Sequence, residues 1–144
     1  QPNPDMIIIL AGYQNEMDKM LDSNPGLRGR FTHYLHFEDY CSEELQDIAQ
    51  MRIASSGLKL SLSANEALAD AIGKTLRDKT NGFANARWVE QFADKAICHT
   101  ANRVLASHLF TPDYLVTITP EDIAAAYNEL TIGNNYAKPK IGFA

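Results

Sequence analysis

The sequence predicts a mainly α fold with a small α/β portion at its start, and three observations carry that expectation. A continuous apolar run, Met6-Ile7-Ile8-Ile9-Leu10, has the character of a strand covered on both faces. A turn at Asn24-Pro25-Gly26 then breaks the chain before a second extended segment around His33 to Phe37. After Ser42 the apolar positions adopt the 3.6-residue helical period and keep it, with capping signals between segments, to about Leu130. A chain of 144 residues, 45% of them hydrophobic, buries the core of one ordinary domain or of two small subdomains.

Gln1 to Asp5, with Pro2 and Pro4, read as a loop entering the first strand. In parallel α/β sheets ligands bind beyond the carboxyl ends of strands, and Ala11-Gly12-Tyr13 falls at such an end. A short helix is expected through Glu16 to Leu21. Two strands cannot bury a sheet by themselves, so this portion reads as the incomplete end of a larger layer.

Ser42 is expected to cap the first long helix, with Glu43 and Glu44 favourable in its first turn. Leu45, Ile48, Ala49, Arg52 and Ile53 follow the period, and Gly57 ends it. A second cap at Ser63 opens a helix carrying Ala67, Leu68, Ala71, Ile72 and Leu76, which closes at Asn81-Gly82. A third helix starts after Asn85 with the longest stripe: Trp88, Val89, Phe92, Ala93, Ala96, Ile97, Ala101, Val104 and Leu105. After Thr111-Pro112-Asp113, the segment Tyr114 to Ile118 alternates like a short strand. Thr119-Pro120-Glu121-Asp122 then caps the last helix.

A formal charge of -5 with dispersed lysines and arginines argues against a nucleic-acid partner, because neutralising phosphates needs a basic surface. The longest apolar run falls far short of the roughly 20 residues that span a bilayer, and no signal-peptide pattern opens the chain. No membrane partner and a cytoplasmic location are therefore expected. Cys41 and Cys98 are too few for a disulfide framework and fit a reducing compartment. His33 and His36, three apart on an expected strand, would point to opposite faces, so no metal site is expected.

Anion chemistry is suggested by Arg28 and Arg30 in the rigid turn that follows the apolar strand. A guanidinium stays charged at any working pH, and its planar fork matches phosphate oxygens bidentately. Gly73-Lys74-Thr75 has the ending of a phosphate-binding P-loop, but Leu68 stands where the motif needs its first glycine. That tripeptide also lies inside an amphipathic helix, where backbone amides cannot wrap a phosphate. No apolar strand ending in Asp-Glu is present to hold magnesium.

Three stretches together resemble one family. They are Ala11-Gly12-Tyr13, the Ser-Asn-Pro-Gly-Leu-Arg-x-Arg-Phe turn from Ser23 to Phe31, and Phe83-Ala-Asn-Ala-Arg87 opening a helix that ends near Ala101-Asn102-Arg103. From about Met6 to Leu130 the chain resembles AAA+ ATPases of the CbbX type, the group of red-type Rubisco activases and a stage V sporulation relative. The resemblance implies that residues 1–40 are the last strands of a P-loop AAA+ core with its finger loop. Residues 41–130 are then the four-helix lid, and 131–144 a linker or tail. Ile141-Gly142-Phe143 resembles the start of a further AAA+ unit.

The resemblance also implies roles. Arg30 matches the arginine finger, which acts on a neighbouring subunit's nucleotide, and Arg28 its companion in the same loop. Arg87 matches the second sensor arginine, which touches phosphate in its own subunit. A cation in the first turn of a helix opposes the macrodipole, at a cost of up to about 1 kcal/mol, unless an anion is bound there. Tyr13 falls where related proteins carry a polar first sensor, usually Asn or Thr. The implied parent hydrolyses ATP with magnesium in a homo-oligomeric ring, a hexamer, and remodels a protein client. Lacking both the P-loop and the acidic magnesium strand, the chain alone is expected to be inactive and to bind no cofactor tightly. A non-catalytic helical assembly or adaptor module of AAA+ ancestry is the alternative.

Overall fold

The helical period after Ser42 builds four long helices around one core. The computed structural model describes residues 6–78, 85–107 and 110–133, and the chain divides into two units, Gln1–Glu38 and Asp39–Ala144. In the second unit, α3 (Ser42–Ser55) is capped by Cys41, one residue earlier than expected. Cys41 is extended, and its backbone N–H donates to Glu44 Oε2 at 2.8 Å. The carboxylate of the fourth cap position thus satisfies a free donor at the positive end of the helix. Gly57 ends the helix at φ +75°, a left-handed value that a Cβ disfavours, and its N–H donates to Ala54 O at 2.9 Å.

Directly after this turn, β1 (Lys59–Leu60) pairs in parallel with β2 (Thr117–Ile118), Lys59 opposite Thr117 and Leu60 opposite Ile118. A two-residue strand has no periodicity, so β1 was invisible to pattern. Next, α4 (Leu62–Arg77) starts from Ser61 rather than Ser63: Ser61 Oγ accepts from the Ala64 N–H at 3.1 Å. The expected closure at Asn81-Gly82 lies outside the described residues.

The spine is α5 (Asn85–Ser107), whose 23 residues run about 35 Å at 1.5 Å per residue. Trp88, Val89, Phe92, Ala93 and Ala96 are buried on it, and the Phe92 ring lies 5.2 Å from that of Trp88. The expected stripe fails toward its end, where Ala101 and Leu105 are exposed. There the inward face turns polar, carrying Thr100 and Arg103.

Those two side chains meet Asp122 of α7 (Pro120–Gly133), itself only 3% exposed. Its carboxylate accepts from Thr100 Oγ1, from Arg103 Nε and from the Thr119 N–H, all at 3.0 Å. Arg103 Nη2 also donates to Thr117 O at 2.7 Å, tying α5 to β2. Burial pushes the Asp122 carboxyl up, but Arg103, Thr119 and Thr100 outweigh it and hold the group below the usual aspartate value. A buried ion pair therefore replaces apolar packing at this end of the bundle, with Arg103 Nη1 buried and without a hydrogen-bond partner among the described residues.

The alternating segment Tyr114 to Ile118 is mostly helix. In α6 (Pro112–Val116) the Thr-Pro-Asp signal wins over alternation: Thr111 is the N-cap, Pro112 takes N1, and the Leu115 N–H donates to Thr111 O at 3.1 Å. Only Thr117 and Ile118 are extended. The core of the unit is Leu45, Ile53, Leu68, Ile72, Trp88, Phe92, Ile118 and Ile123.

The first unit holds α1 (Gln14–Asp22) and the one-turn α2 (Pro25–Arg28). The strands expected at Met6 to Leu10 and His33 to Phe37 do not form; both segments are irregular. A strand exists through its ladder, and among the described residues of this unit nothing pairs with either segment. Their side chains stay uncovered, Ile7 at 88% and Phe37 at 87% exposure.

Candidate functional site

The residues singled out for phosphate chemistry lie in both units: Tyr13, Arg28 and Arg30 in the first, Arg87 in the second. Tyr13 ends the extended segment as N-cap of α1, its carbonyl accepting from the Met17 N–H at 2.9 Å while the side chain is 78% exposed. The turn that follows is built by Asn24, whose Oδ1 accepts from the Gly26 N–H at 3.2 Å and whose carbonyl accepts from the Leu27 N–H at 2.8 Å. The Arg30 N–H in turn donates to Leu27 O at 3.0 Å. Asparagine before Pro-Gly favours such a closed turn, because its side chain bonds the backbone two residues on.

The two arginines of this turn differ. Arg28 Nη2 pairs with Asp22 at 2.7 Å and Asp18 at 3.5 Å, both on α1, and the Arg28 carbonyl accepts from the Tyr34 hydroxyl at 3.2 Å. Arg30 is exposed and makes no side-chain hydrogen bond or ion pair among the described residues. Exposed pairs such as those of Arg28 are worth about 0.2–1 kcal/mol, so they orient the side chain without neutralising it permanently.

Arg87 sits in the first turn of α5, exposed, and that turn holds no acidic residue. Its cationic head is therefore at the positive end of a 23-residue helix, with no carboxylate in the first turn to offset it. Asn85, which opens the helix, is 8% exposed and adopts φ 31°. Its Oδ1 accepts from the Tyr40 N–H at 2.9 Å, and its Nδ2 donates to the Tyr40 carbonyl at 3.3 Å. Phe83 and Gly82 lie outside the described residues. This pair of hydrogen bonds to Tyr40 is not legible in the sequence, since the partner is 45 residues away.

Gly73-Lys74-Thr75 lies within α4, and Thr75 Oγ1 donates to Ala71 O at 2.9 Å, a bond internal to the helix. Among the described residues no group of three or more His, Cys, Asp or Glu side chains is arranged to hold a metal ion. None of the described helices is long and apolar enough to cross a membrane. Cys41 and Cys98 are unpaired and exposed.

The family model described as AAA lid domain matches residues 41–132. A protein named CfxQ homolog from Trieres chinensis is 40% identical over 121 residues, covering 83% of this chain and 41% of the relative. The CfxQ homolog of Guillardia theta is 39% identical over the same length, with the same coverage of 83% and 41%. Protein CbbX of Cereibacter sphaeroides is 37% identical over 124 residues, covering 85% of this chain and 40% of its own length. The chain thus spans about two fifths of the length of these curated relatives.

Proposed function

This chain belongs to the AAA lid domain family, with relatives of the CbbX type, and from that premise we propose that it supplies the arginine-finger turn and the lid of a ring-forming AAA+ ATPase. The observation that carries this reading is Arg87, an exposed cation in an acid-free first turn. Such a placement is unfavourable when empty and favourable beside a phosphate, where the helix N-terminus and the guanidinium attract the same charge. Arg87 contacts the nucleotide of its own subunit.

Arg30, whose guanidinium has no side-chain partner among the described residues, reaches the nucleotide of the neighbouring subunit and offsets charge on the transferring γ-phosphoryl group. Fingers of this kind contribute about 10³–10⁵ in rate, equivalent to roughly 4–7 kcal/mol of barrier. Arg28, held by Asp22 and Asp18, keeps the turn in shape and adds positive potential beside the finger. Tyr13 presents its hydroxyl toward phosphate or the attacking water. These groups are cations and a phenol, which suit phosphate oxygens and not magnesium, so the magnesium ligands for ATP belong to other residues of the full-length protein.

A finger acting in trans needs a head-to-tail interface repeated until it closes, which gives a homo-oligomeric ring, here a hexamer. Movement of the lid with nucleotide state then does work on a protein client and remodels its assembly. The acidic balance and free thiols suit a cytoplasmic protein that engages neither nucleic acid nor membrane. Residues 1–40 serve as the end of the nucleotide-binding core, 41–130 as the lid, and 131–144 as a linker or tail.

The test is equilibrium binding of a fluorescent ATP analogue to the full-length protein. Arg87→Ala is expected to weaken binding by about tenfold or more, the loss of a charge-assisted hydrogen bond. An unchanged affinity would remove Arg87 from the nucleotide site.

A further inference from the structure

Asn85 is the only non-glycine residue with positive φ among the described residues. Asparagine tolerates the left-handed region better than other side chains, but a helix ordinarily opens from an extended cap whose side chain accepts from the first-turn amides. Here the amide is used differently. Its oxygen accepts from the Tyr40 N–H at 2.9 Å and its nitrogen donates to the Tyr40 carbonyl at 3.3 Å, as a neighbouring peptide group would in a sheet. Tyr40 directly precedes Cys41, the cap of α3, whose own N–H is taken by Glu44. The start of α5 is thereby fastened to the start of α3 by one almost fully buried side chain.

Arg87 stands two residues further along the same turn, exposed and without a side-chain bond among the described residues. Nothing in its own contacts sets where it points, so its direction follows from the first turn of α5. First turns fray readily, and the Asn85 side chain anchors this one to the Tyr40 main chain without occupying its own amides. We propose that Asn85 is the positioning residue for Arg87: its two hydrogen bonds to the Tyr40 main chain fix the first turn of α5 so that the guanidinium meets nucleotide phosphate. The proposal rests on the reading that Arg87 contacts the nucleotide.

Asn85→Gly removes the clamping side chain while glycine accepts φ 31° without strain. In the full-length protein, Asn85→Gly should weaken binding of a fluorescent ATP analogue by about tenfold, approaching the loss in Arg87→Ala. Adding Asn85→Gly to Arg87→Ala should weaken it little further, because there is no arginine left to position. Hydrogen exchange at the Tyr40 amide should also accelerate in Asn85→Gly. The proposal fails if the two losses multiply, since Asn85 would then act on stability or on another contact. It fails as well if Asn85→Gly leaves affinity unchanged while Arg87→Ala lowers it, in which case the nucleotide role of Arg87 survives. If Arg87→Ala itself has no effect, both readings fall together; unchanged exchange at Tyr40 removes the clamp alone.

Discussion

At the scale of single residues, Asp122 has the largest consequences for stability. Its carboxylate is buried and takes hydrogen bonds from Thr100, Arg103 and Thr119. Removing it leaves Arg103 as an uncompensated, largely buried charge, so Asp122→Ala should cost about 3–5 kcal/mol in a urea melt. The group also sets a pH dependence. Its folded pKa lies below the ordinary aspartate value, so its stabilisation is complete above about pH 4 and is lost as pH falls through the lower folded value. Melts between pH 5 and pH 2 should therefore fall less steeply for Asp122→Asn than for the unaltered chain. Arg28, Arg30, Arg87 and Tyr13 could be singled out in the sequence because they fall in short continuous motifs that resemble those of one family, and a guanidinium suits phosphate. The ion pairs that separate Arg28 from Arg30 were not legible, since they depend on how α1 packs beside the turn.

At the scale of elements, local signals succeed where they act alone and yield where partners are distant. The periods of α3, α4, α5 and α7 were legible because each buries one stripe, and the Gly57 stop because its left-handed φ is a local demand. Gly57→Ala should accordingly destabilise the second unit by about 1 kcal/mol or somewhat more, measured by denaturant midpoint. Between the two serines that compete to cap α4, the hydrogen bond decides: Ser61→Ala should cost about 1 kcal/mol and Ser63→Ala a few tenths at most. Equal losses would contradict the assignment. The pairing of β1 with β2, the helical turn at Tyr114, and the polar end of α5 were not legible. Each is settled by a partner more than a dozen residues away, or by a cap that overrides alternation. The same holds for Met6 to Leu10 and His33 to Phe37, which have strand composition but no ladder among the described residues.

For the whole molecule, those uncovered segments and the arginine turn concern assembly. Ile7, Ile9, Leu35 and Phe37 present apolar surface that a water-exposed chain tends to bury against a neighbour, so light scattering should find concentration-dependent association of this chain. A monomer independent of concentration would mean that the segments are stable uncovered. The proposed role of Arg30, completing an active site on an adjacent subunit, is open to test by steady-state ATP hydrolysis of the full-length protein. Arg30→Ala should lower turnover by about 10³-fold or more with ATP still bound, and Arg28→Ala by much less. Full turnover in Arg30→Ala would rule out the finger, and no hydrolysis by the unaltered full-length protein under any condition would leave the chain as a non-catalytic assembly module.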